Sequence, residues 1–207
     1  MKEQGLLIVV SGPSGAGKST VCKRLRALRP DMALSVSVTT RAPRAGERDG
    51  VDYFFVAREE FDRRVAAGEL LEHAQAYGNC YGTPRDYVLQ RLQQGDDVLL
   101  EIEMQGAMQV KEKYPQGVFV FVVPPTLEEL AARIRGRGSE TPESFARRFG
   151  SARAELDYMD EYDYVVVNED VERAAGDIDA ILRAEHCRSA RRLALREALL
   201  REDVGAL

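Results

Sequence analysis

The stretch Gly12-Pro13-Ser14-Gly15-Ala16-Gly17-Lys18-Ser19 carries the sharpest chemical signal in this sequence. It satisfies G-x-x-x-x-G-K-[ST], and it follows an apolar run and opens a helical pattern, where that motif must sit. Glycines let successive backbone N–H groups turn inward, and with the positive end of the following helix they form a nest for a phosphate group. Lys18 adds a charge toward the β- and γ-phosphates, and Ser19 is a candidate ligand for Mg²⁺. The expected donor is a nucleoside triphosphate. A second constellation lies in "SVTTRAPRAGERDGVDYFF", residues 37–55, where Arg41 and Arg44 stand close together in a loop punctuated by Pro and Gly. A guanidinium fork matches phosphate oxygens bidentately, so the pair suits a second phosphorylated molecule. Taken alone, two loop arginines read better as solvated surface. Tyr53, Glu72, Tyr81 and Thr83, which follow in the same region, change the balance.

Positioning these groups takes a scaffold, and strand and helix signals alternate along the chain. "LLIVV" reads as a strand buried on both faces, and Val21, Leu25 and Leu28 then recur at helical spacing. "ALSVSVT" alternates Leu34, Val36 and Val38 against Ser35, Ser37 and Thr39, which predicts one half-buried strand. "VLLEI", "VFVFVV" and "YVVVN" predict further buried strands. Thr126 with Glu129 makes a capping box before "LAARI", and Thr141 followed by Pro142 opens "ESFARRF". Such alternation predicts a three-layer α/β fold around a mostly parallel sheet. From about Ser37 to Tyr87 strand and turn signals dominate, with "YGNCYG" as a hairpin or loop and a short helix around Phe61 and Val65. That region is expected to be an insertion with its own small sheet. The last segment, Val171 to Arg201, reads as a single long helix, a solvated packing element and a candidate surface for homo-oligomer formation.

Composition excludes several classes. A chain of 207 residues is one domain or a core with insertions, and 44% hydrophobic residues fit a folded one. The net charge of −5 argues against a nucleic-acid partner, which calls for a basic face. Leu6 to Val10 is too short to cross a bilayer, so no membrane association is expected and the protein is read as cytoplasmic. Cys22, Cys80 and Cys187 have neither disulfide-framework nor zinc spacing and read as reduced small side chains.

Beyond the phosphate loop, "SVTTRAPRAGE", "ELLEHAQAYGNCYGT", "EIEMQG", "GRGSETPESFARR" and "VVVNED" appear in an order and spacing that resemble the guanylate kinase family from about Leu6 to Asp170. The Arg-rich C-terminal segment is similar to its bacterial branch. The resemblance implies a P-loop nucleoside monophosphate kinase fold. Its core would be residues 1–36, 89–127 and 156–207, its inserted GMP-binding domain 37–88 and its lid 128–155. ATP and GMP would be the substrates, ADP and GDP the products, and Mg²⁺ the cofactor. Arg41, Arg44 and Tyr53 would hold the GMP phosphate, while Ser37, Glu72, Tyr81 and Thr83 would line the guanine and phosphate pocket. Guanine offers N1–H and an exocyclic amine side by side, which suit one carboxylate such as Glu72, and Thr83 can donate to guanine O6. Thr83 is also placed to cap the helix "PRDYVLQRL".

By the same resemblance Glu101 would hold Mg²⁺ through water and Glu103 would reach the guanosine side. The division of roles between them stays open, because many relatives carry Asp there. Lid residues Arg133, Arg137 and Arg148 would contact the transferring phosphates, with Gly136 and Gly138 as hinges, and Arg135 and Arg147 would be solvated. Asn168 would lie beside the adenine, or simply end a strand as a turn former. Lys18, Arg41, Arg137 and Arg148 would carry the chemistry without a general base, since a nucleoside monophosphate is already ionised. Two rivals remain at this level: a P-loop kinase of another phosphorylated acceptor, and an inactive protein-binding module of the same fold, against which the intact "GAGKS" argues.

Overall fold

The computed structural model describes residues 3–76, 78–136 and 141–201. Along the chain run β1 (Leu7–Ser11), α1 (Lys18–Leu28), β2 (Ala33–Leu34), β3 (Val38–Thr39), β4 (Phe54–Phe55), α2 (Arg58–Ala66), β5 (Leu70–Ala76) and β6 (Asn79–Pro84). There follow α3 (Arg85–Gln93), β7 (Val98–Glu101), α4 (Met104–Lys113), β8 (Val118–Val123), α5 (Leu127–Arg135) and α6 (Pro142–Ala154). A 3-10 turn (Glu155–Glu161) then leads to β9 (Tyr164–Val167), α7 (Val171–His186) and α8 (Leu193–Arg201).

The large sheet has the order β2-β7-β1-β8-β9, with every neighbouring pair parallel. Ile8 and Val10 of β1 face α1 and α7, packing with Val21, Leu25, Ile178 and Leu182. Leu7 and Val9 face the other way, against Val88 and Leu92 of α3 and Ala107 and Val110 of α4. Both faces are covered, so the strand is apolar without a break, and each such side chain contributes about 1.5–3 kcal/mol of burial. The connections change direction at β1, which opens a crevice at the carboxyl ends of β1 and β7. The phosphate loop follows β1 and Glu101 ends β7, so both lie at that crevice.

A smaller sheet, β4-β3-β6-β5, forms the insertion. Its core is Val38, Phe61, Leu70 and Cys80, so Phe61 is what seats α2. β5 and β6 form the antiparallel hairpin expected at "YGNCYG", with Gly78 in its turn. "ALSVSVT" is not one strand. Ala33 and Leu34 pair with β7 in the large sheet, whereas Val38 and Thr39 pair with β4 and β6 in the small one. The chain crosses between sheets at Ser35 to Ser37, with Ser35 N–H donating to Leu99 O at 3.2 Å and Ser37 O accepting from Phe54 N–H at 2.9 Å. The alternation therefore spans two environments.

The C-terminal segment also departs from expectation, because α7 stops at His186 and a 3-10 turn (Ser189–Arg191) separates it from α8. Contacts distant in sequence account for the break: Arg191 donates to the carbonyls of Gln4 and Gly5 at 2.8 and 3.1 Å, and Arg192 pairs with Glu3 at 3.0 Å. Leu193, Leu195, Leu199 and Leu200 are exposed on α8. Both expected threonine caps are present, Thr126 accepting from Glu129 N–H and Thr141 from Ser144 N–H. α5 and α6 pack through Leu130, Ile134 and Ala152, joined by Phe145 and Phe149. No helix among the described residues is long and apolar enough to cross a membrane.

Candidate active site

The phosphate loop is shaped by what presses on it. Gly12 has φ of 148°, and a Cβ there would lie 2.0 Å from the carbonyl oxygen of Val122 on β8. At Gly17, with φ of 90°, a Cβ would lie 2.3 Å from Asn168 Nδ2. Only glycine fits either place. Asn168 is buried and donates to the Ala16 carbonyl at 2.7 Å. Arg133 donates to that same carbonyl at 3.3 Å and to Asn168 O at 2.9 Å, while its Nε meets Glu129. The structure thus sets Asn168 and Arg133 against the back of the loop, and Asn168 is more than a strand-ending turn former. On the open side Lys18 Nζ donates to Gly12 O, and Ser19 Oγ donates to Glu101 Oε1.

Between this loop and the small sheet opens a cleft of about 420 Å³. It is lined by Pro13, Ser14, Gly15, Gly17, Lys18 and Ser19 from the loop, by Glu101 at the end of β7 and by Glu103 at the N-cap of α4. The far wall is Ser37, Arg41, Arg44, Tyr53, Glu72 and Tyr81. Glu101 and Glu103 thus line the same cleft. Gly12 and Ala16 are buried within the loop, and Arg148 is half-buried on α6 outside this lining. Arg137 and Gly138 lie outside the described residues.

The arginine loop is held by a residue that the sequence did not single out. Glu47 pairs with Arg41 at 2.9 Å and accepts the backbone N–H of Arg44 at 2.7 Å. The Arg41 guanidinium, aided by that N–H, holds the Glu47 carboxyl below its usual range. Arg41 also lies 5.3 Å from the centre of the Tyr53 ring, and Tyr53 meets Tyr81 edge-on at 6.0 Å. Aromatic packing and an ion pair together present the guanidinium to the cleft.

Glu72 is the buried centre of the far wall, only 3% exposed, and its Oε1 accepts from the Thr83 hydroxyl at 2.6 Å. Burial raises its carboxyl to about 7, opposed by that hydrogen bond and by Lys113. Thr83 does not cap α3, whose N-cap is Pro84, and lies fully buried beside Glu72. Its single hydroxyl proton is directed to Glu72 and so cannot at the same time serve guanine O6. Gly106 on α4 backs the carboxylate: a Cβ there would fall 2.3 Å from Glu72 Oε2. His73 next to it is exposed.

Besides Glu47 and Gly106, two further residues were missed. Ser35 lines the cleft with its buried Oγ unpartnered among the described residues, and Glu155 accepts the Ser14 N–H at 3.0 Å. Neither stands in a motif, and Glu155 reaches the loop across 141 positions of sequence. For a cation, Ser19 Oγ and a Glu101 oxygen already converge at the cleft, and no cluster of three acidic, His or Cys ligands exists among the described residues. That donor set fits Mg²⁺, which takes few protein oxygens and completes its shell with phosphates and water.

A phosphate loop at the switch point of a parallel sheet, facing a second wall of arginines, tyrosines and a buried carboxylate, defines a P-loop kinase of nucleoside monophosphates. The guanylate kinase family model matches residues 4–185. The chain is 55% identical to the guanylate kinase of Caldanaerobacter subterraneus subsp. tengcongensis, covering 91% of each chain. It is 52% identical to that of Symbiobacterium thermophilum, covering 100% of this chain and 97% of the other. The crystal structure of guanylate kinase from Anaplasma phagocytophilum superposes with a TM-score of 0.80 at 41% identity, covering 96% of this chain and 95% of that one. The chain belongs to the guanylate kinase family.

Proposed function

We propose that the chain transfers the γ-phosphoryl group of ATP to the phosphate of GMP, giving ADP and GDP. The observation that carries this is the buried Glu72 across one cleft from Lys18. A buried carboxylate is matched by the paired donors of guanine, while AMP presents an acceptor at N1. Phosphate-loop amides and Lys18 would hold the donor's phosphates, with Asn168 and Arg133 bracing the loop at Ala16. Arg41, Arg44 and Tyr53 would fix the acceptor phosphate, and its ionised oxygen attacks without a base. Catalysis is then alignment and charge neutralisation, with Arg148 and Arg137 as lid groups for the transferring phosphoryl. Ser19 and Glu101 would hold Mg²⁺, which when bound neutralises charge on the donor phosphates.

The net charge of −5 supports small nucleotides rather than nucleic acid as partners. ATP and GMP belong to the cytoplasm, where the enzyme would act. The exposed leucines of α8 favour self-association through that helix. The test is ADP release measured with a panel of nucleoside monophosphates. GMP is expected to exceed AMP in kcat/KM by orders of magnitude, and equal use of both would overturn the acceptor assignment.

A further inference from the structure

Glu155 joins α6 to the 3-10 turn that follows it. It is at once the C-cap of α6 and the first residue of the turn Glu155–Glu161, with helical backbone angles. Its half-buried carboxylate accepts the N–H of Ser14, a residue of the phosphate loop, at 3.0 Å. Burial pushes the Glu155 carboxyl up; the Ser14 N–H and Lys18 oppose this and Glu103 adds to it, so the group sits in the field of the cleft itself.

The sequence of α6 shows what the bond controls. Phe145, Phe149 and Ala152 recur at helical spacing and pack with Leu130 and Ile134 of α5. Beside that stripe, Arg148 and Glu155 are seven positions apart, so they lie about two turns from each other on nearly the same face. A seam of Phe, Leu and Ala contacts tolerates small rotations, because dispersion is non-directional and shallow for each atom pair. A hydrogen bond to a loop amide does not.

We propose that Glu155 is a positioning residue that pins α6 to the phosphate loop in the rotation that turns Arg148 toward the transferring phosphoryl group. The inference rests on the assignment of Arg148 as a lid arginine. Because Ser14 belongs to the loop that receives the donor, the arginine is referenced directly to the phosphates rather than through the sheet. A misplacement of about 1 Å in such a group costs up to roughly a hundredfold in rate.

The experiment compares E155A, E155Q, R148A and the E155A/R148A double variant in steady-state GMP phosphorylation, with ATP binding followed by calorimetry. E155A is expected to lose roughly tenfold to a hundredfold in kcat, while the GMP KM and ATP Kd stay within about threefold. E155Q, whose amide oxygen still accepts the Ser14 N–H, is expected to recover most of that rate. The double variant is expected to be no slower than R148A alone, because the two residues act as one unit. Multiplicative losses in the double variant, an E155Q as slow as E155A, or a loss of ATP affinity in place of kcat would each overturn the proposal. Full turnover in R148A would remove the Arg148 assignment and the inference with it. A slow R148A beside a full-speed E155A would remove only the role of Glu155.

Discussion

At the scale of single residues, the proposed reading of guanine by Glu72 turns on the protonation of its carboxyl. Guanine's paired donors require its ionised form, yet burial holds the carboxyl at about 7. On the proposed reading, GMP binding is expected to release a proton from Glu72 below that pH. The ratio of GMP to AMP in kcat/KM is expected to rise between pH 6 and pH 8, at most about tenfold per unit below the pKa. AMP carries the same phosphate and cancels its titration. Glu72→Gln keeps the shape but turns an NH₂ toward a guanine donor, so GMP use should fall by about 2–4 kcal/mol and the pH dependence of the ratio should flatten. A ratio unchanged in E72Q would mean that Glu72 does not read the base. The sign for stability is opposite. The folded-state value lies above the ordinary 4.5, so this group's contribution to folding is full below about 4.5 and is lost as pH rises through about 7.

At the scale of elements, α4 is what backs Glu72 and the far wall of the cleft. Gly106, in the first turns of α4, costs helix stability relative to Ala by about 1 kcal/mol, and its lack of a Cβ makes room for Glu72. Gly106→Ala is expected to lower the GMP to AMP ratio about tenfold or more while the thermal midpoint is preserved, because propensity and displacement act in opposite directions. An unchanged ratio would show that the carboxylate has another seat. Elements whose cause is local were legible in the sequence: the phosphate loop, the apolar strands, the two threonine caps and the hairpin at Gly78. The others depend on distant partners. The period of "ALSVSVT" cannot register that its halves belong to different sheets. Arg191 and Arg192 break the last helix through contacts with Glu3, Gln4 and Gly5, at the opposite end of the chain. The cap alternative for Thr83 rests on its neighbours in sequence alone, whereas its hydroxyl is taken up by Glu72 on the adjacent strand. Most residues of the far wall of the cleft stand in family-specific motifs, but the contacts of Glu47 and Glu155 are not legible in sequence, since only the folded chain brings them to Arg41 and Ser14.

At the scale of the whole molecule, the core and the small sheet are closed units, and α8 lies outside both with exposed leucines. A chain ending at Arg192 is expected to keep its turnover and its unfolding midpoint, and to sediment as a smaller species than the full chain at equal concentration. Identical sedimentation would exclude α8 as the self-association surface. The small sheet carries a different liability. β5 is its outer strand, pairing on one side with β6 alone. Gln109 of α4 meets the other side like a neighbouring strand, accepting His73 N–H at 3.2 Å and donating to His73 O at 2.7 Å, and Lys113 donates to Leu71 O at 2.8 Å. An open strand edge is a template on which foreign chains can polymerise, and a side-chain amide that satisfies it leaves no such template. The helix that seats Glu72 thereby also guards against aggregation, so damage to the α4–β5 contact is expected to appear as insolubility and, on the proposed role of Glu72, as altered acceptor choice.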